Sequence, residues 1–212
     1  MIQTIANSAQ SLITDKCYLD LFGGYTRLAQ VKKTVGDKQT ILRFPMSCLN
    51  ADLCYNSKNY LELLPSDKYK SVAYFEQLSS AQSRPITDKY PDKFKAKLWN
   101  ARLRLVFWYN MKKLGYDTCS ISDHVSNDLI ECFSQKYALN SPINVHEVQW
   151  IVDRVVYHDV NDVFGRYSYS DIAVAFGMPP YEFFAIDFNV IWTVFGDCVL
   201  SEPFECQTPI EC

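Results

Sequence analysis

The stretch Asp92–Gly115, DKFKAKLWNARLRLVFWYNMKKLG, decides how the rest of the chain is read. It holds no proline and no glycine before its last residue, and good helix formers (Lys, Ala, Leu, Arg, Met) fill most of it. Pro91 and Asp92 suit the start of a helix, Lys112 and Lys113 its cation-favouring end, and Gly115 its stop. Phe94, Leu98, Ala101, Leu105, Trp108 and Tyr109 fall on one flank of such a helix, and Leu105–Tyr109 is apolar nearly all round. The stretch therefore predicts a long central helix whose second half is buried on several sides.

Upstream, Tyr25–Val35 and Thr40–Met46 are two β-prone runs separated by Gly36-Asp37-Lys38-Gln39, the length and chemistry of a hairpin reversal. Lys32, Lys33 and Lys38 lie near its tip and read as a solvated or partner-facing loop. Pro45 ends the second run or places it on a sheet edge. Residues 1–24 carry short apolar clusters without a clean period, which predicts an extended arm or a short helix stopping at Gly23-Gly24. Turn-forming residues dominate 47–91, with Ser71–Leu78 the one clear element, a strand or a short helix.

Downstream, Ser120–Asp123 has N-cap chemistry ahead of a second helix over His124–Tyr137, with Val125, Leu129, Ile130, Cys132 and Phe133 as its apolar side. Beyond Pro142, EVQWIVDRVVYHDV, DVFGRYSYSDIAVAF and YEFFAIDFNVIWTVF are rich in Val, Ile and aromatic residues and read mainly as antiparallel strands, although Val145–Val156 also fits a helix. The whole is a single α+β domain over residues 1–212: an N-terminal arm (1–24), a hairpin (25–46), a helical spine (92–137), a strand-rich half (145–200) and a tail (201–212). Its expected architecture is an antiparallel β-sheet packed on the long central helix.

At 212 residues, 48% hydrophobic and 15% aromatic, the chain can build a sizeable core. No run approaches the ~20 apolar residues of a spanning helix, so no membrane partner is expected. The first residues lack a basic segment followed by an apolar one, which argues against a signal peptide and for the cytoplasm or a particle assembled there. The eight cysteines are irregularly spaced without a CxxC pair, so reduced thiols are expected rather than a zinc site or a disulfide framework.

Net charge is −3, unevenly spread. Residues 1–83 hold nine basic and seven acidic side chains, residues 84–113 nine and two, and residues 114–212 three and fifteen. A basic middle and an acidic final half are electrostatically complementary, and copies joined head to tail through them close into rings when the rotation permits.

Catalytic patterns are absent from the sequence: there is no GxSxG, no Walker loop and no GxGxxG. Cys119, Asp123 and His124 imitate a nucleophile with base and orienter, but closeness in sequence means little for a site made by spatial convergence. Asp123 is better explained as a carboxylate in a helix's first turn. His146, His158 and Asp159 suggest a metal-dependent hydrolase, yet a surface His-Asp pair beside a turn explains them as well. No catalytic residue, metal or cofactor is assigned, and the chain does not read as an enzyme. Lys93, Lys95, Lys97, Arg102 and Arg104, interleaved with Trp99, suit phosphate contact, and equally suit a helix keeping its cationic heads in water.

The segment Leu98–Phe133, LWNARLRLVFWYNMKKLGYDTCSISDHVSNDLIECF, resembles neck and tail ring proteins of tailed bacteriophages, of the crAss-like phage type, in overall character rather than in an invariant motif. The resemblance implies a non-enzymatic virion component, assembled in the host cytoplasm as a homo-oligomeric ring that joins portal and capsid to tail around the DNA channel. Its partners would be copies of itself, the portal or other neck and tail proteins, and packaged DNA at non-specific range. An acidic excess suits a channel wall that does not hold passing DNA. Lys32, Lys33, Lys38, Lys93, Lys95, Lys97, Arg102 and Arg104 are the candidate subunit or partner contacts. The alternatives are a cytoplasmic nucleic-acid-associated or partner-binding accessory protein using the basic stretch and, behind it, the metal-dependent hydrolase.

Overall fold

The stretch expected as a central helix is a central strand. The computed structural model describes residues 1–13, 15–35, 38–47, 63, 65, 67–85, 96–115, 121–139, 145–167 and 180–195. In chain order its elements are helices α1 (Ile2–Ser8) and α2 (Gln10–Ile13), then strands β1 (Leu21–Val35), β2 (Lys38–Ser47), β3 (Ser71–Gln77), β4 (Gln82–Pro85) and β5 (Ala96–Asn110). Helices α3 (Met111–Leu114) and α4 (Ile121–Phe133), strands β6 (Tyr137–Leu139) and β7 (Val145–Tyr157), helix α5 (Val160–Phe164) and strand β8 (Tyr181–Phe195) complete them. The class is mixed α+β, dominated by one eight-stranded sheet of order β2-β1-β3-β5-β8-β7-β6, with β4 also pairing β5. All pairings are antiparallel except β1 with β3.

Why Asp92–Gly115 fails as a helix is visible in its alternation. Ala101, Leu103, Leu105, Phe107 and Tyr109 point to one face of the sheet, and Arg102, Arg104, Val106 and Trp108 to the other. Both faces are covered, so Leu105–Tyr109, apolar all round, is what a strand buried on two sides requires. Aromatic and β-branched residues at 106–109 favour that pleated setting, and local helix propensity is a weak prior against it. The stop signals at Lys112, Lys113 and Gly115 are genuine but belong to α3. Asn110 caps it, accepting from the Lys113 N–H at 3.3 Å, and Gly115 closes it at φ 79°, where a side chain would be strained.

The first face carries the larger core. Residues 1–13, expected as an arm or short helix, form α1 and α2, whose Ile5, Ala6, Ala9 and Ile13 are fully buried against it. There is thus no extended arm. Helix α4 adds Val125, Leu129 and Phe133, and begins three residues earlier and ends four earlier than the expected His124–Tyr137. Phe133 on α4 meets Phe75 on β3, Trp150 on β7 and Phe188 on β8, with ring centroids 5.9, 5.0 and 5.2 Å away. On the opposite face Val72, Tyr74, Val106, Trp108, Phe183 and Ala185 pack under Val163 and Phe164 of α5.

The expected hairpin is present, in a tighter form: β1 and β2 pair from Thr26↔Ser47 to Val35↔Lys38, so Lys38 and Gln39 are strand residues. Pro45 lies within β2, which stands at the end of the strand order. Ser71–Gln77 is a strand, as is Val145–Tyr157. The tail and the cysteines other than Cys17 and Cys132 lie outside the described residues, and both of these are free thiols.

Because Leu105 is fully buried in the strand flanked by β3 and β8, Leu105→Ala is expected to cost about 2–5 kcal/mol. The shift in urea-unfolding midpoint, with the slope unchanged, is the measurement.

Candidate functional site

The sequence places two arginines on a strand that buries both faces, and the sheet answers with carboxylates. Arg104 is directly opposite Asp187 on β8 and Glu76 on β3, while Asp187 is also opposite Arg154 on β7. The Arg104 side chain is 3% exposed and that of Asp187 is fully buried. Arg104 Nε donates to Asp187 Oδ1 at 2.6 Å and Nη2 to Oδ2 at 3.0 Å, a bidentate fork. Arg104 also donates to Asp162 of α5, through Nη1 to the carbonyl at 2.6 Å and Nη2 to Oδ1 at 3.0 Å. Arg154 donates to Asp187 Oδ2 at 2.7 Å and pairs with Asp162 at 2.9 Å.

Glu76 completes the cluster. Its Oε2 accepts from Tyr167 at 2.6 Å and sits 3.4 Å from Arg166, while its Oε1 accepts no hydrogen bond and lies 4.0 Å from Arg104. Three cations therefore face three carboxylates, a neutral set in which Arg104, Asp187 and Glu76 are buried while Arg154 and Arg166 reach the surface; an unpaired charge at the buried members would be costly. Burial works against ionised Asp187, but hydrogen bonds and charge from Arg104 and Arg154 overcome it and hold the carboxyl below its ordinary range. For Glu76 burial wins over the opposing Tyr167, Arg166 and Arg104, and the carboxyl is raised. Asp162 is positioned because Asp159 N-caps α5, its Oδ1 accepting from the N–H groups of Asn161 and Asp162, both at 3.0 Å.

Two depressions border this face. A cavity of about 230 Å³ between the base of the hairpin and the sheet is lined by Tyr25, Arg27, Glu76, Gln77 and Arg166 among others. A shallower groove is lined by Asn100, Arg102, Asp153 and Asn189. The opposite face holds a smaller polar set: the Tyr109 hydroxyl donates to Glu182 Oε2 at 2.6 Å, and Ser122 of α4 approaches both. Near it, Lys16 and Tyr18 tie the N-terminal segment to Asp128 of α4, each at 2.6 Å.

The candidate contact residues do not share a surface. Lys32 is exposed on β1, and Lys33 and Lys38 sit on the same hairpin by register. Lys97 is exposed at the start of β5, with its parity on the face opposite Arg102 and Arg104. Arg102 is exposed and ion-paired with Asp153, and Arg104 is inside. Lys93 and Lys95 lie outside the described residues. A strand thus splits the basic stretch that a helix would have gathered. His146 and His158 fall at opposite ends of β7, about 40 Å apart along an extended chain, so they do not converge on one metal ion. Asp123 and His124 are exposed in the first turn of α4, and Cys119 is outside the described residues. Asp162, which the sequence offers with His146 as a further metal ligand beside His158-Asp159, instead bonds Arg104 and Arg154; Asp187 and Glu76 do not stand out in the sequence, although Ala101-Arg-Leu-Arg-Leu105 alternates with period two and signals a polar position inside a strand.

No family model matches the chain, and a search of curated proteins finds no match to it. Among the described residues no helix is long and apolar enough to cross a membrane.

Asp187→Asn leaves the buried Arg104 with Asp162 as its remaining bonded carboxylate and is expected to cost about 3–5 kcal/mol in urea unfolding at pH 7. The double variant Arg104→Met, Asp187→Leu leaves Arg154–Asp162 and Arg166–Glu76 balanced, and should recover most of that loss. Asp187 stabilises the fold at pH values above its unfolded pKa of about 3.9 and ceases to as pH falls through its lower folded value. The gap between wild type and Asp187→Asn should accordingly narrow as pH drops below about 4.

Proposed function

We propose that the chain is a non-enzymatic structural subunit of a tailed-phage virion, assembled with copies of itself into a ring of the neck or tail. One observation carries this reading. Beyond Tyr25, β1 leaves β3 and continues with β2 alone among the described residues, and Arg27, Leu28, Gln30, Lys32, Gln39, Ile41 and Arg43 are exposed on that ribbon. From Thr26 to Val35 it runs about 30 Å. Exposed aliphatic side chains beside cations on such a strand pair suit a neighbouring protein surface.

The charge ledger supports the same reading. The hairpin segment 25–47 carries Arg27, Lys32, Lys33, Lys38 and Arg43 against Asp37, while the chain after residue 113 carries fifteen acids against three bases. Copies placed head to tail bring these together. The neck or tail position rests on the resemblance of Leu98–Phe133 to ring proteins, and the acidic excess suits the wall of a DNA channel. The nucleic-acid-binding alternative is less well supported, because Arg104 serves the interior and Arg102 is held by Asp153.

Light scattering and negative-stain microscopy of the purified chain, alone and mixed with its portal, test the reading. Rings of many copies are expected, and replacing 30–41 by a two-residue turn should reduce them to single subunits with unchanged circular dichroism. A strict monomer under both conditions at high concentration contradicts it.

A further inference from the structure

Strand β1 parts from β3 after Tyr25↔Phe75, and the wedge so opened holds the cavity of about 230 Å³ beside Glu76. Hydrogen bonds fix its walls. The Thr26 hydroxyl donates to the Phe75 carbonyl at 2.8 Å and the Tyr25 hydroxyl to Gln77 Oε1 at 2.8 Å. Gln77 Nε2 donates in turn to the Ser79 carbonyl at 2.6 Å. Among the described residues the charged groups of the lining are two cations, Arg27 and Arg166, and one carboxyl, Glu76.

Arg166 is held in place with donors to spare. Its Nη1 donates to the Gln77 carbonyl at 3.1 Å and lies 3.4 Å from Glu76 Oε2, while Nε and Nη2 make no bond among the described residues. Arg27 is exposed on β1 and pairs with no carboxylate among the described residues. Both guanidiniums act on the Tyr25 hydroxyl, opposing the upward push of burial, so both stand near one group. Arg104, Arg154 and Arg166 are already balanced by Asp187, Asp162 and Glu76, and Arg27 therefore leaves the cavity with a positive charge in excess.

We propose that this cavity binds a small oxyanion, the carboxylate or phosphate group of a small molecule, between Arg27 and Arg166. A guanidinium presents paired N–H donors to two oxygens of such a group. Arg166 can offer Nε and Nη2 without giving up its bonds to Gln77 and Glu76. The volume is below the about 300–1,000 Å³ of pockets that take drug-sized ligands, so the anionic group and a few further atoms fill it. The site lies within one subunit and does not depend on assembly.

Glu76 ties the site to pH. Its side chain is 6% exposed and its Oε1 accepts no hydrogen bond. An anion beside it disfavours the ionised carboxyl, as burial already does, so binding draws a proton onto Glu76. The other groups acting on that carboxyl are Arg104 of β5, Arg166, Asp187 of β8 and the hydroxyls of Tyr74 and Tyr167. Burial pushes both tyrosines up and Arg104 with Arg154 holds Asp187 down, so none of these three changes charge where Glu76 titrates. Arginine keeps its proton there as well.

Titration of the full chain with sodium phosphate, acetate or sulfate, followed through the arginine Nε–H signals by NMR, tests the site. The Arg27 and Arg166 signals should shift and saturate while those of Arg84 and Arg102 stay put, and the tighter of phosphate and acetate identifies the group. Arg27→Gln should weaken every probe about tenfold or more, with circular dichroism and urea midpoint unchanged. Sulfate, whose own charge is constant, should bind more tightly as pH falls through the raised Glu76 value, and Glu76→Gln should remove that dependence. If Glu76→Gln does not fold, Arg27→Gln and the wild-type pH series still decide. Shifts that never saturate, shifts shared by all surface arginines, or affinity unchanged in Arg27→Gln overturn the site. Sulfate affinity independent of pH in the wild type overturns the part given to Glu76.

Discussion

Arg104 can lie inside the sheet only because Asp187 stands directly across from it, and the rest of the structure depends on that pairing. Strands β5 and β8 pair along fifteen consecutive residues, the longest unbroken ladder among the described residues. A slip of one residue would turn Arg104 and Asp187 into the aromatic core around Phe75, Phe133 and Phe188, and turn Leu105 and Ile186 out of it. The cost of a buried, unpaired guanidinium forbids that slip. Because Asp187 also takes Arg154, and Arg104 also takes Asp162, one neutral cluster fixes the register of β7, β8 and β5 and seats α5 on the sheet. Glu76 extends it to β3. Ion pairs of this kind contribute specificity more than net stability, which the two apolar layers provide.

Much of this was legible in the sequence where a local rule agreed with the tertiary setting. The hairpin followed from two β-prone runs around Gly36-Asp37, α4 from the spacing of Val125, Leu129 and Phe133, and β7 and β8 from their aromatic and β-branched content. The misreading of Asp92–Gly115 has a physical cause. Leu, Lys, Arg and Ala favour helices locally, and authentic helix-stop signals at Lys112, Lys113 and Gly115 closed the stretch. Those signals served a four-residue helix after the strand. Burial on both faces overrode propensity, and it erased the in-out alternation except at Arg102 and Arg104. The N-terminus stayed open between an arm and a short helix for the opposite reason: α1 and α2 are too short to show a period, and only the core they cover makes them helices.

The candidate site was less legible than the fold. Fifteen acidic residues follow Leu114, and nothing local marks Asp187 or Asp162 among them as partners of Arg104, because that selection is made by strand order. Once it is made, the basic stretch ceases to be a surface. Among the described residues the large apolar side chains left exposed are on the hairpin and on β7. The central strand is reserved for the interior.

Hydrogen–deuterium exchange, compared between assembled and dissociated protein, tests this division of labour most directly. The amides of the exposed hairpin residues 27–43 should gain protection on assembly, while those of 103–109, already held between β3 and β8, should exchange slowly and equally in both states. Protection gained at 103–109, with the hairpin unchanged, would contradict it.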